Sequence, residues 1–159
     1  MKSKKSWREK LNDSKGLPKV INITGKMSKR WGTGTCAIPS PKEVDTIMKK
    51  IPKGKLTTIN HIREMIAKKH DATIGCPIVT GISAMIAAHA AVDDEKEGKR
   101  SVTPYWRTLK LGGELNPKYP GGIHDQKERL KSEGHKIIQK GKKYTVEDYE
   151  KSLIKDPKF

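Results

Sequence analysis

The stretch from Pro77 to about Ala91 restricts the fold more than any other part of the chain. Pro77 stands where proline suits the first turn of a helix, and Ile78, Ile82, Met85 and Ile86 recur at helical spacing as an apolar stripe. The other faces carry Gly81, Ser83, Ala84, Ala87, Ala88 and Ala90, all small. So little bulk lets the helix backbone come close to whatever it meets. Periodicity alone leaves two partners open: another helix packed tightly against it, or the groove of a nucleic acid.

Two helices are expected upstream. Ser40-Pro41-Lys42-Glu43 is a capping box with proline at the first helical position, followed by Val44, Ile47, Met48 and Ile51 on one apolar face. Pro52-Lys53-Gly54-Lys55 ends that helix. The next runs through Ile59, Ile62 and Ile66, with Thr58 or Asn60 as its cap, and His70–Thr73 is the turn before Pro77. Downstream, Asp93–Lys99 reads as a charged loop. Thr108–Leu111 and Glu114-Leu115 flank Gly112-Gly113 as a hairpin with a two-residue glycine turn. A rigid loop at 116–122 leads to a helix from about Ile123 to Ser132. A second hairpin pairs His135–Lys140 with Lys143–Val146 around Gly141, and Tyr149–Leu153 is a last short helix before a basic tail.

Helix–turn–helix plus a β-hairpin predicts a mainly α fold with small β, a winged helix-turn-helix. Residues 1–39 form a basic N-terminal arm, partly helical at Trp7–Leu11, that packs on the main domain. Residues 40–135 form the winged-helix domain, and 136–159 a basic C-terminal extension.

Charge points to the partner. The 34 Lys and Arg outnumber the 18 Asp and Glu, for a net charge of +16, which favours a polyanion, nucleic acid first. No apolar leader follows the basic first residues, and no run approaches a membrane span, so a soluble cytoplasmic protein is expected, nucleoid-associated if bacterial. Cys36 and Cys76 form no disulfide framework, and the five histidines show no metal-ligand spacing with them. Neither metal nor cofactor is expected. Gly32 and Gly34 lack the Lys and strand context of a phosphate loop and read as a plain turn.

Four segments between 52 and 135 carry a resemblance. They are Ile51–Thr58, Pro104-Tyr105-Trp106-Arg107, Lys118-Tyr119-Pro120-Gly121-Gly122 and Ser132-Glu133-Gly134-His135. In this order they resemble the DNA-binding, alkyl-accepting domain of alkylguanine–DNA alkyltransferases, the methylated-DNA–protein-cysteine methyltransferase family. The resemblance implies that domain's winged helix-turn-helix, with double-stranded DNA as ligand and the second helix in the minor groove. It would place Thr57 and Thr58 near phosphates and the small face Thr80, Ser83, Ala84, Ala87 and Ala88 in the groove. A base pocket would be lined by Tyr105, Trp106 and Tyr119, with Arg107 tying it to the helix behind.

Departures from the pattern bear on the chemistry. Tyr105 stands where active members have the acceptor cysteine, and Trp106 where they have the histidine that activates it. A phenol with an ordinary pKa of about 10 is a poor nucleophile at neutral pH, so the family's reaction is expected to be absent. Glu133 is retained, with nothing left to orient. The chain thus resembles the alkyltransferase-like proteins, which replace the cysteine with an aromatic residue. Thr80 stands where active members carry the arginine that fills the gap behind a flipped base.

The expectation is a monomeric, non-catalytic alkyltransferase-like DNA binder that recognises alkylated guanine or another damaged base for repair proteins. Two alternatives stand beside it. One is residual alkyl transfer by Cys76, at a helix N-terminus of the kind that favours thiolate; the other is a general RNA-associated or nucleic-acid-associated basic protein.

Overall fold

The computed structural model describes residues 5–154, and the basic tail expected beyond Ile154 lies outside them. The three expected helices form. α3 (Pro41–Lys49) starts at Ser40, whose hydroxyl accepts from the Glu43 amide. α4 (Ile59–Lys69) is capped by Thr58 through the His61 amide. α5 (Pro77–Lys96) runs a full turn further than its apolar stretch suggested. The acidic residues that read as a loop are held in helix by ion pairs from elsewhere: Asp94 meets Arg8, and Glu95 takes a two-pronged pair from Arg129 at 2.5 and 3.0 Å.

The main core lies between these helices. Val44, Ile47 and Met48 of α3 and Ile62, Met65 and Ile66 of α4 meet Ala84, Ala87, Ala88 and Ala91 of α5, closed by Tyr105 and Tyr119. A smaller core holds Leu56, Leu109, Leu115, Leu130 and Val146.

The N-terminal arm has more regular structure than its scattered apolar residues indicated. α1 (Trp7–Asn12) packs on α5 and α3. β1 (Lys19–Asn22) and β2 (Thr35–Ile38) flank the short α2 (Lys26–Trp31). β2 pairs antiparallel with β1 and parallel with β4 (Ile74–Gly75), so a three-stranded sheet fastens residues 19–38 to the turn between α4 and α5. Arg63 Nε donates to the Gly75 carbonyl at 3.0 Å across that turn.

The expected hairpin at 108–115 is replaced by other pairing. Thr108–Leu109 is β5 and pairs parallel with β3 (Thr57–Thr58); Leu111–Gly113 is a 3₁₀ turn closed by the Lys110 amide on the Glu114 carbonyl at 2.8 Å. Thr108 and Leu109 are both buried, and a strand covered on both faces suits a parallel partner better than a half-solvated hairpin. α6 (Gly122–Ser132) follows, and the second expected hairpin forms as β6 (Ile137–Lys140) and β7 (Lys143–Val146). A bridge from Glu114 to Thr145 seats β7 beside the Leu111 turn.

Candidate nucleic-acid interface

α5 presents its faces the opposite way round from the expected one. Thr80, Ser83, Ala84, Ala87 and Ala88 are all buried. Ala84, Ala87 and Ala88 share the core with the apolar residues of α3 and the Tyr105 ring, since small side chains let two helices approach closely. The large residues point outward instead: Ile78 is 57% exposed and Ile82 47%. Of the two readings open at the sequence level, helix packing takes the small face, and those five residues have no surface to offer DNA. Thr57 is likewise buried in the β3–β5 pair, and Thr58 spends its hydroxyl on the α4 cap.

The outward face of α5 forms one wall of a cavity of about 570 Å³. Ile59 and Asn60 at the start of α4 form a second wall, Lys110 and Leu111 a third, and residues 116–118 a fourth. Leu111 is 71% exposed at this rim. The 116–118 loop is held from behind. Buried Gln126 of α6 accepts the Asn116 amide at 2.7 Å and donates to the Trp106 carbonyl at 3.2 Å. His89 of α5 donates from Nε2 to the Lys118 carbonyl at 3.2 Å while its ring stacks on Trp7 at 4.4 Å. No local pattern marked Gln126 or His89 in the sequence, since both act through residues distant along the chain.

The expected pocket residues do come together, but as a packed network. Tyr105 is fully buried, edge-on to Trp106 and to Tyr119 with ring centroids 5.3 Å apart in each case. Tyr119 donates its hydroxyl to the Thr108 carbonyl at 3.1 Å, whereas the Tyr105 hydroxyl has no partner among the described residues. Burial pushes both phenols up from the ordinary tyrosine value. Tyr105 and Tyr119 are thus buried against each other rather than lining an open surface.

Glu133, expected to have nothing to orient, organises this network. Its Oε2 accepts the Trp106 indole N–H at 3.0 Å, and Arg107 donates to both its oxygens, the shortest contact being 2.6 Å. Arg107 also donates to the Ile51 carbonyl at 2.7 Å, tying the network to the end of α3. Burial alone would raise the Glu133 carboxyl. Hydrogen bonds from Arg107 and Trp106, with the Arg107 charge, outweigh it and hold the carboxyl below its ordinary value.

Both cysteines are buried in a third apolar cluster with Ile23. Burial and the neighbouring Cys76 push the Cys36 thiol up to about 11. Cys76 is 5% exposed and caps α5, its Sγ accepting from the Val79 amide at 3.5 Å. Among the described residues no His, Cys, Asp and Glu cluster has the makings of a metal site, and no helix is long and apolar enough to cross a membrane.

No protein-family model and no curated protein matches the chain. Two solved structures do. One is Schizosaccharomyces pombe Atl1 in complex with damaged DNA containing O6-carboxymethylguanine, with a TM-score of 0.50 and 21% identity. The other is S. pombe ATL in complex with DNA, with a TM-score of 0.53 and 20% identity. Each match covers 73% of this chain and 94% of the other. The architecture built on α3, α4 and α5 is therefore the alkyltransferase-like fold.

Proposed function

We propose that this chain binds duplex DNA through the exposed face of α5, entering the minor groove, and transfers no alkyl group. The observation that carries this reading is the outward face itself: a rigid helix with bare isoleucines beside a cavity rimmed by Lys110 and Lys118, on a chain of net charge +16. Exposed apolar side chains gathered into one patch commonly mark an interaction site, and the surrounding cations favour a polyanion. The two similar structures hold DNA, one of them alkylated at guanine O6, which supports the same partner here.

Absence of transfer rests on the residue at the acceptor position. Tyr105 is buried and its phenol is raised, so it offers no phenolate at neutral pH. Cys76, the alternative acceptor, is buried behind its own helix cap. We place damaged-base recognition in the α5 cavity. At about 570 Å³ it lies within the range of roughly 300–1,000 Å³ typical of ligand pockets. The protein would act as an intracellular monomer and mark lesions for repair proteins.

Fluorescence anisotropy with matched duplexes, one carrying a single O6-alkylguanine, tests both levels across a salt series. Preference for the lesion that persists at high salt is the expected result. Equal affinity removes lesion recognition, and tighter binding of structured RNA than of either duplex moves the chain to the RNA-associated class. For about five engaged phosphates, log K falls with log salt at a slope near −4.5.

A further inference from the structure

We infer that a second cavity, between the N-terminal arm and α5, binds a small aliphatic carboxylate. The site goes beyond the DNA-binding reading above and does not depend on it.

This cavity has a volume of about 630 Å³, within the roughly 300–1,000 Å³ typical of ligand pockets. Its two sides come from distant parts of the chain. Pro41 at the start of α3 and Val79, Ile82 and Ile86 of α5 supply one side, and Leu17 of the arm faces them from the other. The apolar side chains here are all aliphatic. Leu17, Val79 and Ile86 are half-buried and Ile82 is exposed, so aliphatic surface is left for a ligand to cover. The arm is anchored beyond the cavity, where Arg8 pairs with Asp94 and Glu97 and the Trp7 ring stacks on His89. A cavity whose walls are already held apart costs little ordering when it fills.

The arm selects an anion. Lys5, Lys10 and Lys15 line the cavity, and among the described residues Asp13 is the one carboxylate that joins them. Lys5 already pairs with Asp13, and the Lys10 ammonium lies 4.2 Å from the centre of the Trp7 ring, beside α1. Positive charge therefore gathers on the arm side and aliphatic surface on the α5 side. An anionic head on the lysines, with its chain along Val79, Ile82 and Ile86, answers both. A bare phosphate would leave the aliphatic side uncovered. A nucleotide or sugar would lose water from its ring nitrogens or hydroxyls without replacement, because the α5 side offers one polar side chain, Ser83, whose hydroxyl is itself buried.

The test is a titration of the methyl-labelled full chain with hexanoate, octanoate and decanoate, followed by NMR. The Leu17, Val79 and Ile86 methyl signals are expected to move, with affinity rising by up to about fourfold for each methylene added. Ile59, Ile78 and Leu111, which line only the other cavity, are expected to stay in place. Lys10→Gln with Lys15→Gln is expected to weaken decanoate several-fold and leave decanol unchanged, with an unchanged melting temperature as the folding control. Lys15→Gln alone, which keeps Lys10 on Trp7, should show a smaller loss of the same kind. No shift with decanoate overturns the inference. So do shifts confined to Ile78 and Leu111, equal binding of decylamine, equal binding of inorganic phosphate, or binding to phosphatidylglycerol vesicles without binding of the soluble acid. The anisotropy assay with duplex DNA reads the other cavity and α5, so failure of either reading is seen separately from failure of the other.

Discussion

The indole N–H of Trp106 and the guanidinium of Arg107 converge on one carboxylate, that of Glu133. The carboxylate and the guanidinium are mostly shielded from water, with side-chain exposures of 6% and 13%. Removing the charge from one member of such a pair leaves the other uncompensated. Glu133→Gln keeps the shape but not the charge, and is expected to destabilise the fold by about 3 kcal/mol. Urea unfolding measures this directly. An unchanged midpoint would show that Arg107 finds water or another carboxylate instead.

The same pair makes stability depend on acid. The Glu133 carboxyl is lowered in the folded chain, so its contribution is fully present above the unfolded value of about 4.3 and is lost as pH falls through the folded value. The gap between the unfolding midpoints of the parent and Glu133→Gln should therefore be widest at pH 6 and shrink as pH falls below about 4. A constant gap would mean that the carboxylate is not what couples this site to protons.

The two faces of α5 should respond oppositely to substitution. Ala87 is buried against α3, and Ala87→Leu overpacks that contact, an expected loss of about 1–3 kcal/mol. Ile78 is exposed, and Ile78→Ala should change stability by no more than about 0.5 kcal/mol while weakening DNA binding. Thermal melts of the two variants settle the orientation of the helix. A stability loss confined to Ile78→Ala would reverse the assignment.

That orientation is also where the sequence was least informative. Ser40 and Thr58 act within three residues of themselves, so their caps were legible from spacing alone. The β6–β7 hairpin was legible for the same reason, its register being set by the turn at Gly141. Which side of α5 faces the core depends on α3, more than thirty positions away, and helical periodicity is the same for either orientation. Usual hydrophobic bookkeeping puts isoleucine inside, and Ile78 and Ile82 depart from it. The pairing of Thr57 with Thr108, the brace of Gln126 between Asn116 and Trp106, and the Arg8 contacts that hold the end of α5 are likewise long-range. The order of the four segments along the chain pointed to the fold across these gaps.

The thiols provide a check on chemistry. Cys36 and Cys76 are both buried, and the Cys36 thiol is pushed up to about 11, well above neutral pH. Only thiolate reacts at a useful rate, so the folded chain should be nearly inert to iodoacetamide at pH 7 and label at both positions in urea. Incubation with duplex containing O6-alkylguanine should leave the protein mass unchanged. A single alkyl adduct on Cys76 would revive the transferase alternative and reject non-catalytic binding.

The cations at the hairpin tip offer a test of which contacts depend on charge. Lys140, Lys142 and Lys143 are exposed and have no carboxylate partner among the described residues, whereas Lys136 faces Glu147 at 3.6 Å. Unpaired cations beside a bound duplex release counterions, each phosphate neutralised adding about 0.9 to the slope of log K against log salt. Replacing Lys140, Lys142 and Lys143 with glutamine should flatten that slope by up to about 2.7 if all three engage phosphates, without altering any ratio between lesion-bearing and intact duplex. Lys136→Gln should change it less, because that charge is already partly answered by Glu147. An identical slope for the triple variant and the parent would place the hairpin away from the DNA and confine the interface to α5 and the Leu111 turn.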